Sequence, residues 1–244
     1  SLTWSWENTL NYKVSFKDLH HLDILLGTSA RSKTNEYSGA SGKELIFNDF
    51  EHAYLSNATL QPQNTVWGGR GDYRISSLFA RLLYNYDDKY LFTASIRRDG
   101  SSNFGQNNPY AIFPAFSGGW NVDRESFFPK DIFLNKVKLR GSWGQNGNDQ
   151  IPAFSYLSTI SSYDKNYHFG TGNTETLYTG ASPDGLANAD LKWETSEQTD
   201  LGFDLTLFND FSLTFDWYNK ITRDWLVQPT IPEIAGASAP YING

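Results

Sequence analysis

Four histidines, His20, His21, His52 and His168, are the first residues to consider for chemistry, because the chain has no cysteine. Neighbouring residues on a strand point to opposite faces, so His20 and His21 have poor geometry for binding one metal ion. No motif places a serine beside any of the four as a nucleophile and base pair requires. The residue types therefore predict no catalytic centre and no metal site, and we expect a protein that is not an enzyme.

Two polar segments, Asp99–Asn103 and Asn146–Asp149, offer the oxygen ligands that calcium prefers. Neither has the spacing of a known calcium loop. Asp, Asn and Gly tolerate left-handed backbone, and Asp and Asn side chains close turns. We therefore predict turns and no cofactor, with calcium kept as the alternative.

Aromatic residues on or near long polar stretches form the most coherent set of candidates for binding. Aromatic faces suit stacking on sugar rings or packing against a partner, and the alternative for each is packing within its own loop. Residues on long loops at one end of a rigid scaffold are where binding usually occurs. The set consists of Trp67, Tyr73, Tyr163, Tyr167, His168 and Tyr178.

The amino-acid composition limits the classes of protein to which this chain can belong. The chain of 244 residues is 39% hydrophobic, below the norm for soluble domains, yet 16% aromatic. A net charge of -7 without a block of Lys or Arg argues against nucleic acid as a partner. No run approaches the ~18 apolar residues of a membrane helix. A spanning barrel, whose signal is ~10-residue alternating segments, stays possible.

Strict alternation of apolar and polar residues predicts strands along most of the chain. Between Trp4 and Phe16, six of the seven even positions are apolar and none of the seven odd positions from Thr3 to Ser15 is. Similar segments recur, and we predict eight strands, at about 3–16, 20–32, 73–85, 90–97, 110–120, 137–143, 191–207 and 211–225.

The connections between these strands are of two kinds. Those at 17–18, 87–89 and 209–210 are short, whereas those at 33–71, 97–109 and 144–189 are long, and 121–135 is intermediate in a short-turn position. Because the two kinds alternate, all long connections lie at one end of the sheet. This asymmetry is typical of outer-membrane barrels. Arg97, where the fourth strand leaves the apolar band, is then either part of a charged collar at the membrane surface or an inward side chain that touches substrate.

Several stretches resemble the barrel of SusC/RagA-type TonB-dependent transporters of Bacteroidetes. They are LFTASIRRDGSSNFGQNNPYAIFPAFSGGWN (91–121), KLRGSWGQNGN (138–148), NADLKWETSEQTDLGFDLTLFND (188–210) and FDWYNKITRDWL (215–226). The resemblance implies an all-β fold: an antiparallel transmembrane β-barrel segment with short periplasmic turns and long extracellular loops. Residues 1–244 would supply about eight strands of a barrel with about 22, without plug, TonB-contacting segment or signal peptide.

The resemblance also implies a function and partners. The parent protein would import nutrients, either oligosaccharides or peptides, across the outer membrane of a Gram-negative bacterium. A SusD-like surface lipoprotein would cap it, and the TonB complex would supply energy through the missing N-terminal part. An arc of wall with two unpaired edges is not tolerated in lipid, so we expect the segment to need its parent. Two alternatives remain: a soluble or surface β-sandwich that binds glycan, and a complete eight-stranded barrel.

Overall fold

The computed structural model describes residues 1–47, 49–59, 65–129, 132–162, 166–170 and 176–244. Eight long strands make up most of it: β1 Leu2–Phe16, β2 His20–Ser41, β3 Thr65–Tyr86, β4 Tyr90–Ser101, β5 Tyr110–Asn121, β6 Leu134–Asn148, β11 Glu194–Leu207 and β12 Phe211–Arg223. They form one antiparallel sheet in the order β1-β2-β3-β4-β5-β6-β11-β12. The eight predicted strands and their up-and-down order are therefore confirmed.

The remaining elements are short and lie in the connections. Six strands pair as β7 with β10, β8 with β9 and β13 with β14, and their bounds are β7 Thr159–Ser161, β8 Asn166–Phe169, β9 Thr176–Thr179, β10 Ser182–Gly185, β13 Leu226–Val227 and β14 Ile242–Asn243. Single turns of 3-10 helix occur at Phe50–His52, Leu55–Asn57, Val122–Arg124 and Glu233–Ala235. In the part of the chain that the structure describes, no helix is long and apolar enough to span a membrane.

The connection predicted at 33–71 is the largest error of the sequence analysis. Strands β2 and β3 stay paired without a register shift from His20↔Tyr86 to Ser41↔Thr65, so the loop is only 42–64. The error arose because both faces of this extension carry polar residues and glycine, which hides the alternation. Likewise β4 and β6 continue to Ser101 and Asn148, and the seventh strand begins at Glu194 instead of Leu191.

The two faces of the large sheet differ sharply in chemistry. Even-numbered residues of β1 to β5 share one face, here called the outer face, and the register continues that face through the odd-numbered residues of β6, β11 and β12. Its side chains are large, apolar and exposed, as in Leu10 at 67%, Phe92 at 44% and Phe215 at 52%. The opposite inner face is mostly Ser, Thr, Asn and charged residues, with a few apolar side chains such as Leu25, Leu83 and Leu91.

This arrangement excludes both alternatives to an arc of barrel wall. In a sandwich a second sheet would cover the apolar face, but all eight long strands lie in one sheet whose apolar face is exposed. In a complete small barrel β1 would pair with β12, yet β1 and β12, which the structure describes fully, pair only with β2 and β11. Both edges of the sheet are open.

One end of the sheet is closed by tight turns. Lys17 and Asp18, and likewise Asp87 and Asp88, all adopt positive φ of 51–53°. Two successive left-handed residues match the twist of the flanking strands, and Asp tolerates this conformation well. The loops 42–64, 102–109 and 149–193 lie at the other end, which we call the mouth.

Candidate binding face at the mouth

A small apolar core lies on the inner face at the mouth, and we call it the mouth cluster. Its buried members are Phe104, Phe113, Ile151, Leu191 and Trp193. Trp193 is central, with ring centroids 5.2 Å from Phe104 and 5.6 Å from Phe113. Its indole Nε1 also donates a hydrogen bond of 3.3 Å to the Pro109 carbonyl. The cluster therefore packs the loop 102–109 and the two ends of the connection 149–193 onto β5, on the side of the arc's interior.

A polar network around Asp149 holds the start of the longest loop beside this cluster. Oδ2 of Asp149 accepts hydrogen bonds from the hydroxyls of Tyr73, at 3.0 Å, and Ser101, at 2.5 Å. Nδ2 of Asn103 donates to the Asp149 carbonyl at 3.0 Å. Burial and the adjacent Asp149 carboxylate raise the pKa of Tyr73 to about 12. The Tyr73 hydroxyl thus stays protonated at neutral pH and ties β3 to the loop.

Arg97 lies on the inner face, while Arg98 lies on the outer face. The Nε of Arg97 donates to both carboxylate oxygens of Asp99, at 2.7 and 2.8 Å, and its Nη2 donates to Ser77 Oγ at 2.7 Å. The Arg97 guanidinium also covers the Phe79 ring at 5.4 Å. Arg97 is thus directed inward, with 45% of its side chain still exposed. Substrate contact by Arg97 stays a prediction.

Trp67 belongs to a two-ring surface that the sequence analysis recognised only in part. Trp67 pairs with Gly39 and Tyr37 pairs with Gly69, so each ring lies over a glycine of the opposite strand. A Cβ added at Gly39 would lie 2.5 Å from the Trp67 ring, and one at Gly69 would lie 2.6 Å from the Tyr37 hydroxyl. The rings remain 51% and 64% exposed. Tyr37 was missed, although the spacing of aromatic and glycine residues in both strands signals it.

The other aromatic candidates lie in a separate hairpin of the longest loop. Tyr167 on β8 faces Tyr178 on β9, and the Phe169 ring packs edge-on to Tyr178 at 5.6 Å. His168 is paired with Leu177 and points to the opposite face. Tyr163 lies outside the described residues. The described members of the predicted set therefore lie in three places: Trp67 on the β2–β3 extension, Tyr73 in the Asp149 network, and the other three on strands β8 and β9.

An ion network on the inner wall was also missed from the sequence. Arg140, Gly202 and Asp216 are directly paired across three strands, and Arg140 reaches over the glycine to Asp216, Nη1 to Oδ1 2.6 Å. The Arg140 Nε donates to Asp204 Oδ2 at 3.0 Å. A Cβ at Gly202 would lie 2.6 Å from the Asp216 carboxylate. The sequence does contain a signal for this network. Gly202 occupies a position of the polar face, and an aspartate lies two residues before it and two residues after it.

The carboxylates considered for calcium are engaged by protein donors. Asp99 binds Arg97, and Asp149 binds Tyr73 and Ser101. Among the described residues no group of three or more His, Cys, Asp or Glu side chains is arranged to hold a metal ion. As expected, His20 and His21 point to opposite faces, where they bond Tyr84 and Ser15 at 2.8 Å each.

Comparison with known proteins identifies the family to which this chain belongs. A family model described as TonB dependent receptor-like, beta-barrel, matches residues 1–243. TonB-dependent receptor P3 of Formosa agariphila is 36% identical over 240 residues, which is 97% of this chain and 23% of that receptor. SusC of Bacteroides thetaiotaomicron is 34% identical over 160 residues, 64% of this chain and 16% of SusC.

The solved structure of the RagAB peptide transporter superposes with a TM-score of 0.80 at 26% identity, over 99% of this chain and 26% of that one. The chain thus spans about a quarter of the length of the Formosa receptor and of the RagAB chain. The one-sheet arc, its two open edges and these matches are consistent with a segment of a larger wall. The chain belongs to the TonB-dependent receptor family, a family of receptors and transporters, and forms part of its outer-membrane β-barrel.

Proposed function

We propose that this segment forms part of the wall and outer loops of an outer-membrane importer of nutrients, either oligosaccharides or peptides. The observation that carries the proposal is the two-faced sheet, with an exposed apolar outer face, a polar inner face and all long loops at one end. An apolar face needs lipid, and a polar inner face suits a water-filled or plugged interior. Transport accounts for both faces.

The partners follow from the same placement. A SusD-like lipoprotein would rest on the mouth, and TonB would act through parts of the parent outside residues 1–244, together with the plug. The likeness to SusC and to the RagAB peptide transporter supports this assignment. Outer-membrane lipid would surround the outer face.

We assign substrate or partner contact to the aromatic surfaces of the mouth. The support is geometric: Tyr37 and Trp67 present flat, exposed rings on a rigid paired extension, and Tyr167 and Tyr178 do so on a hairpin. Such rings stack on sugars or pack against protein. The proposed contacts are Trp67, Tyr73, Arg97, Tyr163, Tyr167, His168 and Tyr178, with Tyr37 added.

The test is uptake by the full-length parent in its own host. A deletion strain should lose growth on one class of oligosaccharide or peptide, and the wild-type gene should restore it. The double variant Tyr37→Ala/Trp67→Ala should restore growth poorly while reaching the membrane at normal levels. Tyr12→Ala, on the outer face, is the matched control and should restore growth fully. A deletion strain that grows normally on every nutrient of both classes, or a parent without a plug, would refute import.

A further inference from the structure

The inner face at the mouth end of β2 and β3 carries one continuous row of side chains, here called the inner strip. It consists of the odd-numbered residues of 31–41 and 65–75, which pair without a register shift. Two aromatic residues, Tyr37 and Trp67, lie towards its free end, and two cations, Arg31 and Lys33, lie nearer the wall. The inner strip therefore borders the path from the mouth into the arc.

The two aromatic rings of the inner strip each have one open face. A Cβ added at Gly39 would lie 2.5–2.8 Å from three atoms of the Trp67 indole, so that ring lies flat over the glycine. The Tyr37 ring covers Gly69 in the same way, with its Cζ 2.8 Å from an added Cβ. The opposite face of each ring is free, since Trp67 is 51% and Tyr37 64% exposed. Rigid, flat contact area of this kind suits the apolar face of a sugar ring.

The inner strip carries positive charge and no carboxylate. All its residues are described, and Arg31 and Lys33 are the charged ones among them. Both are exposed, and neither has an ion pair with any described residue. The carboxylates of these two segments, Glu36 and Asp72, lie on the outer face and pair with Arg70 at 3.7 and 3.3 Å. The charge of the inner strip is thus left for a ligand.

The carboxylate beside the inner strip does not neutralise it either. Asp149 accepts hydrogen bonds from the Tyr73 and Ser101 hydroxyls, and its oxygens lie within 4 Å of neither cation. An anionic ligand therefore has no competitor for Arg31 and Lys33 among the described side chains.

The distance between the rings and the cations sets the length of the ligand. Lys33 is four residues from Tyr37 on β2, roughly 13 Å along the strand. Asn35 and Gly71 are paired between them, and a Cβ at Gly71 would meet nothing within 4 Å. A ligand can therefore lie along the strip over Gly71. It must have several units to reach both the rings and the cations.

We propose that the inner strip binds an acidic oligosaccharide, one that carries carboxylate or sulfate groups. The inference rests on the proposed function, of which it names the substrate class. Tyr37 and Trp67 stack on sugar rings, while Arg31 and Lys33 pair with the acidic groups of units nearer the wall. Hydrogen bonds between ionised groups are roughly twice as strong as neutral ones, so the cations select the acidic form.

The experiment is calorimetric titration of the full-length parent, extracted from outer membranes in mild detergent. The probes are an oligogalacturonate, which carries carboxylates, and a sulfated galactan oligosaccharide. Their methyl-esterified and desulfated forms are the neutral counterparts. We expect wild type to bind at least one acidic probe, tenfold or more tightly than its neutral counterpart, and less tightly in high salt.

Two double variants separate the cations from the rings. Arg31→Gln/Lys33→Gln should abolish the preference for the acidic form, with a loss on the order of tenfold for each charged hydrogen bond removed. Tyr37→Ala/Trp67→Ala should weaken the acidic and neutral forms equally. Arg74→Gln removes a cation from the outer face of β3 and is the matched control, which should bind as wild type does. Arg31→Lys/Lys33→Arg keeps both charges and should keep the preference.

Three results would overturn the acidic-oligosaccharide site. They are no binding of either acidic probe, equal affinity for acidic and neutral forms, and unchanged affinity in Arg31→Gln/Lys33→Gln. A Glu-rich peptide of equal charge that binds as tightly would also overturn it and assign the strip to peptides. A heat-modifiability gel verifies that each variant is folded.

Growth of the deletion strain distinguishes this proposal from import itself. A parent that restores growth on a neutral oligosaccharide or a peptide, yet binds neither acidic probe, refutes the acidic class alone. A parent that binds an acidic probe but is needed for growth on no nutrient refutes import alone.

Discussion

The mouth and the wall below it are stabilised in different ways. The mouth contains the described chain's cluster of buried apolar side chains, centred on Trp193, together with the Asp149 network. The wall has almost no buried side chains and depends on its backbone ladder, on cross-strand contacts and, in a membrane, on lipid. The comparison teaches that one sheet can hold two regions whose stability responds to different substitutions.

The largest effect is expected from removing the centre of the mouth cluster. Trp193→Ala should cost about 3–5 kcal/mol of local stability, because it leaves a large cavity between two loops and β5. Limited proteolysis of the folded parent in detergent should then cut loops 102–109 and 149–193. The barrel itself should keep its heat-modifiable gel shift. Trp217→Ala, on the exposed outer face, should leave the proteolysis pattern unchanged. If Trp193→Ala unfolded the whole barrel, mouth and wall would not be separable.

A second substitution addresses the wall alone. At Gly202 an added Cβ would meet the Asp216 carboxylate at 2.6 Å and the Phe215 carbonyl at 2.8 Å, so Gly202→Ala should displace Arg140 from Asp216. We expect a loss of about 1–3 kcal/mol, seen as a lower midpoint of thermal unfolding, with loops still resistant to protease. Gly71→Ala is the matched control, since a Cβ at Gly71 would meet nothing within 4 Å. Equal midpoints for both variants would contradict the role of Gly202.

Alkaline pH should loosen the mouth and spare the wall. The folded pKa of Tyr73 is raised to about 12 from the ordinary value near 10. Because the folded value is the higher one, its contribution is complete below pH ~10 and is lost as pH rises towards 12. Protease sensitivity of loop 149–193 should rise in that window. Tyr73→Phe should lack this pH dependence, and a variant that retains it would assign the effect to another group.

The smallest effect concerns the turn end of the wall. A hydrogen bond from Asn85 and the charge of Arg124 hold the pKa of Asp88 below its ordinary value. A lowered folded pKa stabilises the turn above pH ~4 and the contribution disappears as pH falls through the folded value. Asp88→Asn should therefore unfold at nearly the wild-type temperature at pH 3 and slightly lower at pH 7. A difference that is larger at pH 3 would contradict this sign.

The strands of the wall could be predicted from the sequence because mostly apolar outer-face residues alternate with mostly polar inner-face residues, as in Trp4 to Phe16. That signal ends where the sheet leaves the lipid, so the extension beyond Ser32 was taken for a loop. The mouth cluster could not be predicted from the sequence, for another reason. Leu191 and Trp193 lie in an irregular segment, and their partner Phe104 is almost ninety residues away, so no local period reports the contact.

Individual roles were harder to predict than strands. Tyr73 and Arg97 were chosen for their position near loops, and the structure engages both with carboxylates, a contact that no spacing in the chain indicates. Tyr37 was within reach, because a glycine two residues away on each strand marks where a ring can lie flat. The ion pairs of Arg140 could not be predicted without the register of three strands, which the sequence alone does not provide.

The β2–β3 extension has a consequence for what lies outside the cell. Each strand has 22 residues, so at ~3.3 Å per residue it is roughly 70 Å long. Tilted by about 40°, it rises about 55 Å, and an apolar band of ~25 Å leaves about 30 Å standing clear of the bilayer. On the β4 side the hairpin has no neighbouring strand beyond Ile75. In the proposed orientation this hairpin projects above the bilayer on the outer side, where it is a target for antibodies or phages unless a partner covers it.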